Sequence, residues 1–261
     1  MKILVAYDGS INSQTALKYG IGKVREVGGS LFAIHVFNSD MFIDYGAGPK
    51  AEEMARKESA RYVEDAKRII AETGNGIDVR LFSAEGNPED EIIKFAGAEE
   101  TDLVIVPPRY KTIVRNASCP VSVIPGNIIL PLDNSDSYLK AFDRAAKEAK
   151  AAASKVIVLG IVPVHLYGKA EKKELDRIKK ETEAAVKKVK KLFNNEGIET
   201  KEIMRSGYPD EEITKIAEEY PVTMILVPES GDTPSELGKA AQIIIDDSEK
   251  FRQPVIVVTQ G

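Results

Sequence analysis

Short apolar runs and longer amphipathic stretches alternate along this chain of 261 residues. Most of the apolar runs are rich in β-branched residues and lack alternating polar positions, which is typical of parallel strands buried on both faces. They predict strands at 3–7, 30–37, 77–82, 102–106 and 121–124, and again at 128–132, 155–162, 198–203, 223–227 and 255–259. Helices are predicted between them, at about 12–27, 51–73 and from Pro88, and at about 136–152, 170–195 and from Pro209. This alternation predicts an α/β fold with doubly wound parallel sheets.

The same pattern occurs twice in the chain. Residues 3–10 return as residues 128–135, and residues 85–92 return as residues 206–213. A unit of this length indicates a duplicated domain, because domains commonly have about 50–250 residues, whereas the repeats of a solenoid have about 20–50. We therefore predict two domains, 1–126 and 127–261, each with a five-stranded parallel sheet flanked by helices.

The two copies differ in length after their fourth strands. Copy one has 119 − 107 = 12 positions from Pro107 to Cys119, and copy two has 253 − 228 = 25 positions from Pro228 to Gln253. Parallel α/β sheets bind ligands beyond the carboxyl ends of their strands, where loops such as this one lie. Copy one therefore lacks about the length of a short helix beside the expected ligand crevice.

Turn and cap residues follow the first strand of each copy. Gly9 and Asn134 are residue types that accept a positive φ, so we expect turns there. Ser13 and Asp136 are the predicted N-caps of the helices that follow. Pro88 and Pro209 suit the first position of the third helices.

Composition excludes several classes of protein. Residues 1–126 contain 15 basic and 18 acidic residues and residues 127–261 contain 21 and 23, so neither domain has the basic excess of a nucleic-acid-binding protein. The chain has no run of about 18 apolar residues, so no membrane span is predicted. The single cysteine, Cys119, cannot form an internal disulfide. Together with an N-terminus that leads directly into a strand, it favours a cytoplasmic protein.

Four motifs, in order along the chain, resemble those of the universal stress protein family. They are the Asp8-Gly9-Ser10 turn with its helix, His35-Val36 at the end of strand two, the Gly-x-Pro-x-x-Glu-Ile segments at Gly86 and Gly207, and the Cys/Gln-Pro-Val segments at Cys119 and Gln253. The resemblance covers essentially the whole chain. It implies two tandem Rossmann-like domains of the adenine nucleotide alpha hydrolase type. It also implies an intramolecular pseudo-dimer in which the last strands pair edge to edge.

The resemblance is weakest at the phosphate loop. Nucleotide-binding members hold ATP with a Gly-x2-Gly-x9-Gly-Ser/Thr loop after strand four, where glycines let backbone N–H groups approach phosphate oxygens. In copy two the four loop positions are Pro228, Gly231, Ala241 and Gln242. In copy one, residues 107–119 contain no glycine and are too few for the loop and a full helix. We therefore predict that the ATP-binding motifs are degenerate in both copies.

Part of the adenine and ribose side remains. The family reads these groups with Pro-x-Asp at the end of strand one and with the Val after His in strand two. Copy two retains Pro131 and Asp133 and has Ile161 at the Val position, so its candidate nucleotide-binding residues are Pro131, Asp133, Ile161 and Gly231. Copy one retains Asp8 and Val36, which are weaker candidates because Ala6 replaces the proline.

Other candidate chemistry has less support. A Ser–His–Asp set could be composed from Ser10, His35 and Asp8, but we expect turn and strand-end roles for these residues. With two histidines and one cysteine, a metal site has no support. An anion could bind near the copy-one crevice to Arg109, Lys111 and Arg115. A loop with such residues is more commonly just solvated, without a bound anion. The loop at 38–50 could be a lid or a partner contact, but we favour packing against its own domain.

These observations predict a non-enzymatic regulator or interaction protein of the stress response that binds neither ATP nor another cofactor. The alternative is a signalling module that binds AMP or ATP at a modified site in domain 2. The resemblance also allows a homodimer and leaves the protein partner unknown. We expect no nucleic-acid and no membrane partner.

Overall fold

The computed structural model describes residues 1–38, 49–133, 138–228, 236–246 and 253–258. The chain divides into two compact units, Met1–Pro125 and Gly126–Gly261. This division lies one residue before the boundary that the repeat predicts. The two units are called domain 1 and domain 2.

Domain 1 is a five-stranded parallel sheet with helices between its strands, as the sequence predicts. The strand order is β3-β2-β1-β4-β5. Its elements in chain order are β1 (Lys2–Ala6), α1 (Ile11–Val27), β2 (Ser30–Phe37), α2 (Pro49–Thr73), β3 (Asp78–Glu85), α3 (Pro88–Ala98), β4 (Leu103–Val106), α4 (Lys111–Asn116) and β5 (Val121–Val123).

Domain 2 repeats this architecture, with strand order β10-β9-β6-β7-β8. Its elements are β6 (Asn127–Leu132), α5 (Tyr138–Ala151), β7 (Lys155–Val162), α6 (Lys172–Asn195), β8 (Thr200–Ser206), α7 (Pro209–Glu219), β9 (Val222–Pro228), α8 (Glu236–Asp246) and β10 (Val255–Val258). Two single turns of 3-10 helix, Val164–Leu166 and Lys169–Glu171, lie between β7 and α6. The tandem Rossmann-like fold expected from the sequence is confirmed.

The central strands are buried because helices cover both faces of each sheet. Ile3, Leu4 and Val5 of β1 are all fully buried, as are Ile128 and Ile129 of β6. Side chains alternate between the faces of a strand, so a strand covered on both sides is apolar throughout. This is why uninterrupted apolar runs predicted these strands correctly.

Helix starts follow the local chemistry with one correction. Pro88 and Pro209 begin α3 and α7 as predicted, and the Asn87 side chain accepts from Glu89 N and Asp90 N. The predicted N-cap Ser13 is wrong. Ser10 caps α1 instead, its Oγ accepting from Ser13 N at 3.1 Å. The predicted cap Asp136 lies outside the described residues.

The length difference after the fourth strands becomes a difference between two helices. In domain 1 the short segment contains only α4, a helix of six residues. In domain 2 the corresponding helix, α8, has 11 residues. The shorter segment of copy one therefore forms the shorter helix, in agreement with the length difference in the sequence.

None of the helices in the described ranges combines the length and the apolar character that a membrane span requires. The last strands β5 and β10 are each at one edge of their own sheet. Their expected edge-to-edge pairing stays a prediction.

Candidate functional site

The carboxyl edge of the domain 1 sheet borders a cleft of about 570 Å³. The strands are parallel, so β1, β2 and β4 all end at this edge, and the N-terminus of α3 and one face of α2 complete the walls. Asp8 and Val36, the two candidate residues of copy one, both line this cleft. Val36 is half-buried and packs against the domain core. The structure therefore brings the two predicted residues together.

The Asp8 carboxylate is held from two sides. Its Oδ1 accepts from Ser10 N at 2.9 Å, which fixes the turn after β1. Its Oδ2 lies 2.9 Å from Arg109 Nε, an ion pair without the alignment of a hydrogen bond. The Asp8 side chain is only 7% exposed, whereas that of Arg109 is 60% exposed. Asp8 is thus paired with a residue from the shortened segment after β4.

The Arg109 guanidinium is itself held by its neighbour in the chain. Its Nη2 donates to Tyr110 Oη at 2.8 Å, and the guanidinium lies 4.8 Å from the centre of the Tyr110 ring. Tyr110 belongs to the buried core of domain 1, and its burial raises the pKa of its hydroxyl. The residues after β4 therefore contact Asp8 on one side and the core on the other.

Gly9 lies directly beneath the ring of Tyr62 from α2. Its φ is +79°, and a Cβ at this position would be 2.2 Å from Tyr62 Cδ1. The Tyr62 hydroxyl donates to Glu58 Oε1 at 2.6 Å. Only glycine fits both the backbone conformation and the space, so the Asp-Gly-Ser turn has a structural reason in this chain.

Within the part of the chain that the structure describes, no hydrogen bond joins His35 to Ser10 or Asp8, which agrees with our preference for turn and strand-end roles. Its Nδ1 lies 2.9 Å from the carbonyl oxygen of Tyr7, and its Nε2 lies 2.7 Å from Ser59 Oγ of α2. Sequence reasoning missed Ser59. The signal was available, because Ser59 lies at helical spacing between Ala55 and Tyr62, on the face of α2 that meets the cleft.

The candidate residues of domain 2 are placed differently. Pro131 is buried within β6, and Asp133 follows the last residue of that strand and is half-buried. Ile161 is only 1% exposed and belongs to the hydrophobic core. A side chain so placed has almost no surface to offer a ligand. Gly231 lies outside the described residues.

A second aromatic and charged cluster lies at the carboxyl edge of domain 2. The His165 ring stacks on Tyr208 with centroids 4.1 Å apart, and His165 Nε2 lies 3.6 Å from Glu236 Oε2. Lys239 Nζ is 2.7 Å from Glu236 Oε1 and lowers the pKa of this carboxyl, with a smaller contribution from His165. The sequence did not predict this cluster, because its members come from three separate connections after strands.

The other predictions have mixed outcomes. Among the described residues, no group of three metal-ligating side chains exists. Arg115 of α4 is exposed, and residues 39–48 of the loop predicted as a lid or a packed segment lie outside the described residues. Arg109, one of the three cations named near the crevice, lines it.

Comparison with known proteins decides the family. The family model described as the universal stress protein family matches residues 1–125 and again residues 126–259. The chain belongs to the universal stress protein family. The two matches cover almost the whole chain, so the tandem arrangement that the repeat predicted is confirmed.

Three relatives illustrate the range of similarity. A universal stress protein of Methanocaldococcus jannaschii is 27% identical over 139 residues, which are 47% of this chain and 81% of the relative. The crystal structure of a universal stress protein from Archaeoglobus fulgidus is 18% identical and covers 100% of this chain and 96% of its own, with a TM-score of 0.44. A universal stress protein structure from Pseudomonas aeruginosa is 16% identical and covers 98% of this chain and 92% of its own, with a TM-score of 0.42.

Proposed function

We propose that this chain is a non-enzymatic, cytoplasmic regulator or interaction protein that works without a bound nucleotide. Membership of the universal stress protein family supports a role in the stress response. The remainder of the proposal rests on the crevice of domain 1 and on the altered loop positions of domain 2. A protein partner and a homodimer are part of the proposal, but no particular partner is implied.

The observation that carries the proposal is the ion pair between Asp8 and Arg109. The resemblance assigns Asp8 to the ribose of a bound nucleotide and assigns the segment after β4 to its phosphates. Here a side chain of that segment lies 2.9 Å from the Asp8 carboxylate, which is almost completely buried. A ribose hydroxyl would have to displace the guanidinium. Such displacement leaves a buried carboxylate without its charge partner, which is costly.

The charge of the cleft also opposes a nucleotide. Among its described residues, the lining contains the carboxylates of Asp8, Glu58 and Glu89 and one guanidinium, that of Arg109. Phosphate sites combine free backbone N–H groups with cations. At the α3 N-terminus, two backbone N–H groups are already bound by Asn87. The triphosphate of ATP would therefore enter a cleft with excess negative charge.

One observation favours the alternative function, which is binding of AMP or ATP in domain 2. Pro131 and Asp133 remain at the end of β6, and AMP would need less of the missing phosphate loop than ATP. The buried position of Ile161 weakens this alternative. Pro228, at the first loop position, has no backbone N–H to donate.

Thermal unfolding of the full chain with ATP, ADP or AMP at millimolar concentration tests the proposal. We expect the transition temperature to stay within about 1 °C of the ligand-free value. A ligand at 100 times its Kd adds about 2.7 kcal/mol, which would raise the transition of one domain by about 10 °C, at roughly 4 °C per kcal/mol for a domain of this size.

A rise of several degrees would refute nucleotide independence, and two variants would then locate the site. Loss of the rise in Asp133→Ala would support the alternative in domain 2. Loss in Asp8→Ala would place the nucleotide in domain 1.

A further inference from the structure

Ser59 and His35 form a hydrogen-bonded pair in the domain 1 cleft. Ser59 Oγ lies 2.7 Å from His35 Nε2, and His35 Nδ1 lies 2.9 Å from the carbonyl oxygen of Tyr7. A carbonyl oxygen can only accept, so Nδ1 carries the proton of the neutral ring. Nε2 then accepts the hydrogen of the Ser59 hydroxyl. A nucleophile, an adjacent base and a group that orients the base are the three parts of an activated serine.

The serine is accessible and the base is not. Ser59 is half-buried and lines the cleft, whereas His35 is a buried residue of β2. The ring of Tyr62 meets the His35 ring edge to face with centroids 5.8 Å apart. A reagent in the cleft can therefore reach Ser59 Oγ, while contacts on two further sides fix the imidazole behind it.

The charged side chains around Ser59 determine whether a charged or a neutral reagent can approach it. The Asp8, Glu58 and Glu89 carboxylates line the same cleft. The Arg109 guanidinium already contacts Asp8 through Nε and Tyr110 through Nη2. An anionic reagent would meet excess negative charge and a guanidinium that is already paired with Asp8. A neutral reagent avoids this repulsion.

The geometry points to Ser59 as a nucleophile that accepts an acyl group from a neutral, activated ester or thioester. Ser59 Oγ attacks the carbonyl carbon while its proton moves to His35 Nε2. The bond from the carbonyl carbon to the leaving oxygen or sulfur then breaks, and the leaving group takes the proton from Nε2. The products are O-acyl Ser59, a free alcohol or thiol, and a neutral His35.

The leaving group must be good because stabilisation of the oxyanion is weak. A well-placed oxyanion donor contributes about 10²–10³ in rate, and among the described lining residues the one guanidinium, that of Arg109, is already paired with Asp8. The same weakness slows hydrolysis of the acyl group. Ser59 is therefore a modification site that takes one acyl group per chain, and this inference does not rest on nucleotide independence.

Reaction of the full chain with p-nitrophenyl acetate, a neutral activated ester, tests the inference. Absorbance follows the release of p-nitrophenolate, and peptide mass mapping locates the acetyl group. We expect one acetyl group on Ser59, formed before reaction at exposed lysines. Acetylation confined to lysines would overturn the inference.

Matched variants separate nucleophilic and structural roles. Ser59→Ala should lose the fast acetylation, whereas Ser83→Ala should keep it, because Ser83 is an exposed serine of β3 paired in register with His35. His35→Gln should slow acetylation by about 100-fold or more. The glutamine amide can still donate to Tyr7 and accept from Ser59, so circular dichroism should show a folded domain.

A native rate in His35→Gln would refute the role of His35 as base. Acetyl phosphate, an anionic acyl donor, tests the charge argument. It should acetylate Ser59 more slowly than the neutral ester does at equal concentration and after correction for their reactivity with free serine. Equal corrected rates would overturn the selection of neutral reagents.

Discussion

The two domains have equivalent strand ends at their carboxyl edges, but the side chains there make different contacts. In domain 1, Asp8 pairs with Arg109, and His35 is buried between the Tyr7 carbonyl and Ser59. In domain 2, the strand-two residue Ile161 belongs to the core, and His165 lies beyond the strand, stacked on Tyr208. The duplicated backbone is therefore retained while polar groups at the ligand edge have diverged. Fold and ligand chemistry are separable in this chain, because core packing fixes the first and a few edge side chains fix the second.

The largest expected difference between the domains is between Val36 of β2 and Ile161, which has the equivalent position in β7. Ile161→Ala should lower the free energy of unfolding of domain 2 by about 2–5 kcal/mol, because it leaves a cavity in a packed core. Val36→Ala should cost domain 1 only about 1 kcal/mol, because Val36 is half-buried. Urea unfolding followed by circular dichroism measures both.

The conservative variant Ile161→Val is the control and should cost about 0.5–1.5 kcal/mol. Equal losses in Ile161→Ala and Val36→Ala would mean that the two positions are packed alike. The contrast drawn between the two edges would then be wrong.

A smaller effect concerns Tyr7, a residue of domain 1 that lies beside Asp8 in the chain. Its hydroxyl is buried and has no hydrogen-bond partner among the described residues. Burial raises the pKa of Tyr7 from 10.0 to about 12, with help from Asp65 and Asp8. Tyr7→Phe should therefore stabilise domain 1 by up to about 1 kcal/mol, because it removes an unsatisfied polar group.

The pH dependence follows from the same shift. Between pH 10 and about 12, Tyr7 loses its proton in the unfolded chain but keeps it in the folded domain. Its contribution to stability is complete below pH 10 and is lost as the pH rises through about 12. Between pH 10 and about 12, the free energy of unfolding of domain 1 should fall less in Tyr7→Phe than in the native chain. The transition of domain 2 serves as an internal reference. Identical pH profiles would contradict the burial of this hydroxyl.

The smallest effect is expected at the exposed cluster of domain 2. Tyr208 is 53% exposed, and its stacking on His165 should contribute about 0.5–1 kcal/mol. Tyr208→Ala should lower the free energy of unfolding by that amount, whereas Tyr208→Phe, which keeps the ring, should leave it unchanged. A loss above about 2 kcal/mol in Tyr208→Ala would show that this edge is as tightly built as the edge of domain 1.

The amino-acid sequence by itself determined the two domains, the order of strands and helices and the family. Strands covered on both faces must be apolar throughout, so residues such as 3–7 and 128–132 could be recognised without a structure. The sequence also determined that copy one has no room for a phosphate loop and a full helix, since chain length limits what a segment can form.

Only the tertiary structure decided which side chains meet at the two edges. The contacts of Asp8 with Arg109 and of His35 with Ser59 join residues far apart in the chain, and the burial of Ile161 depends on packing from several elements. The N-cap of α1 also depends on the backbone conformation after β1, which places Ser10 rather than Ser13 at the start of the helix. Local periodicity encodes secondary structure, whereas contacts between distant residues exist only once the strands have been brought side by side.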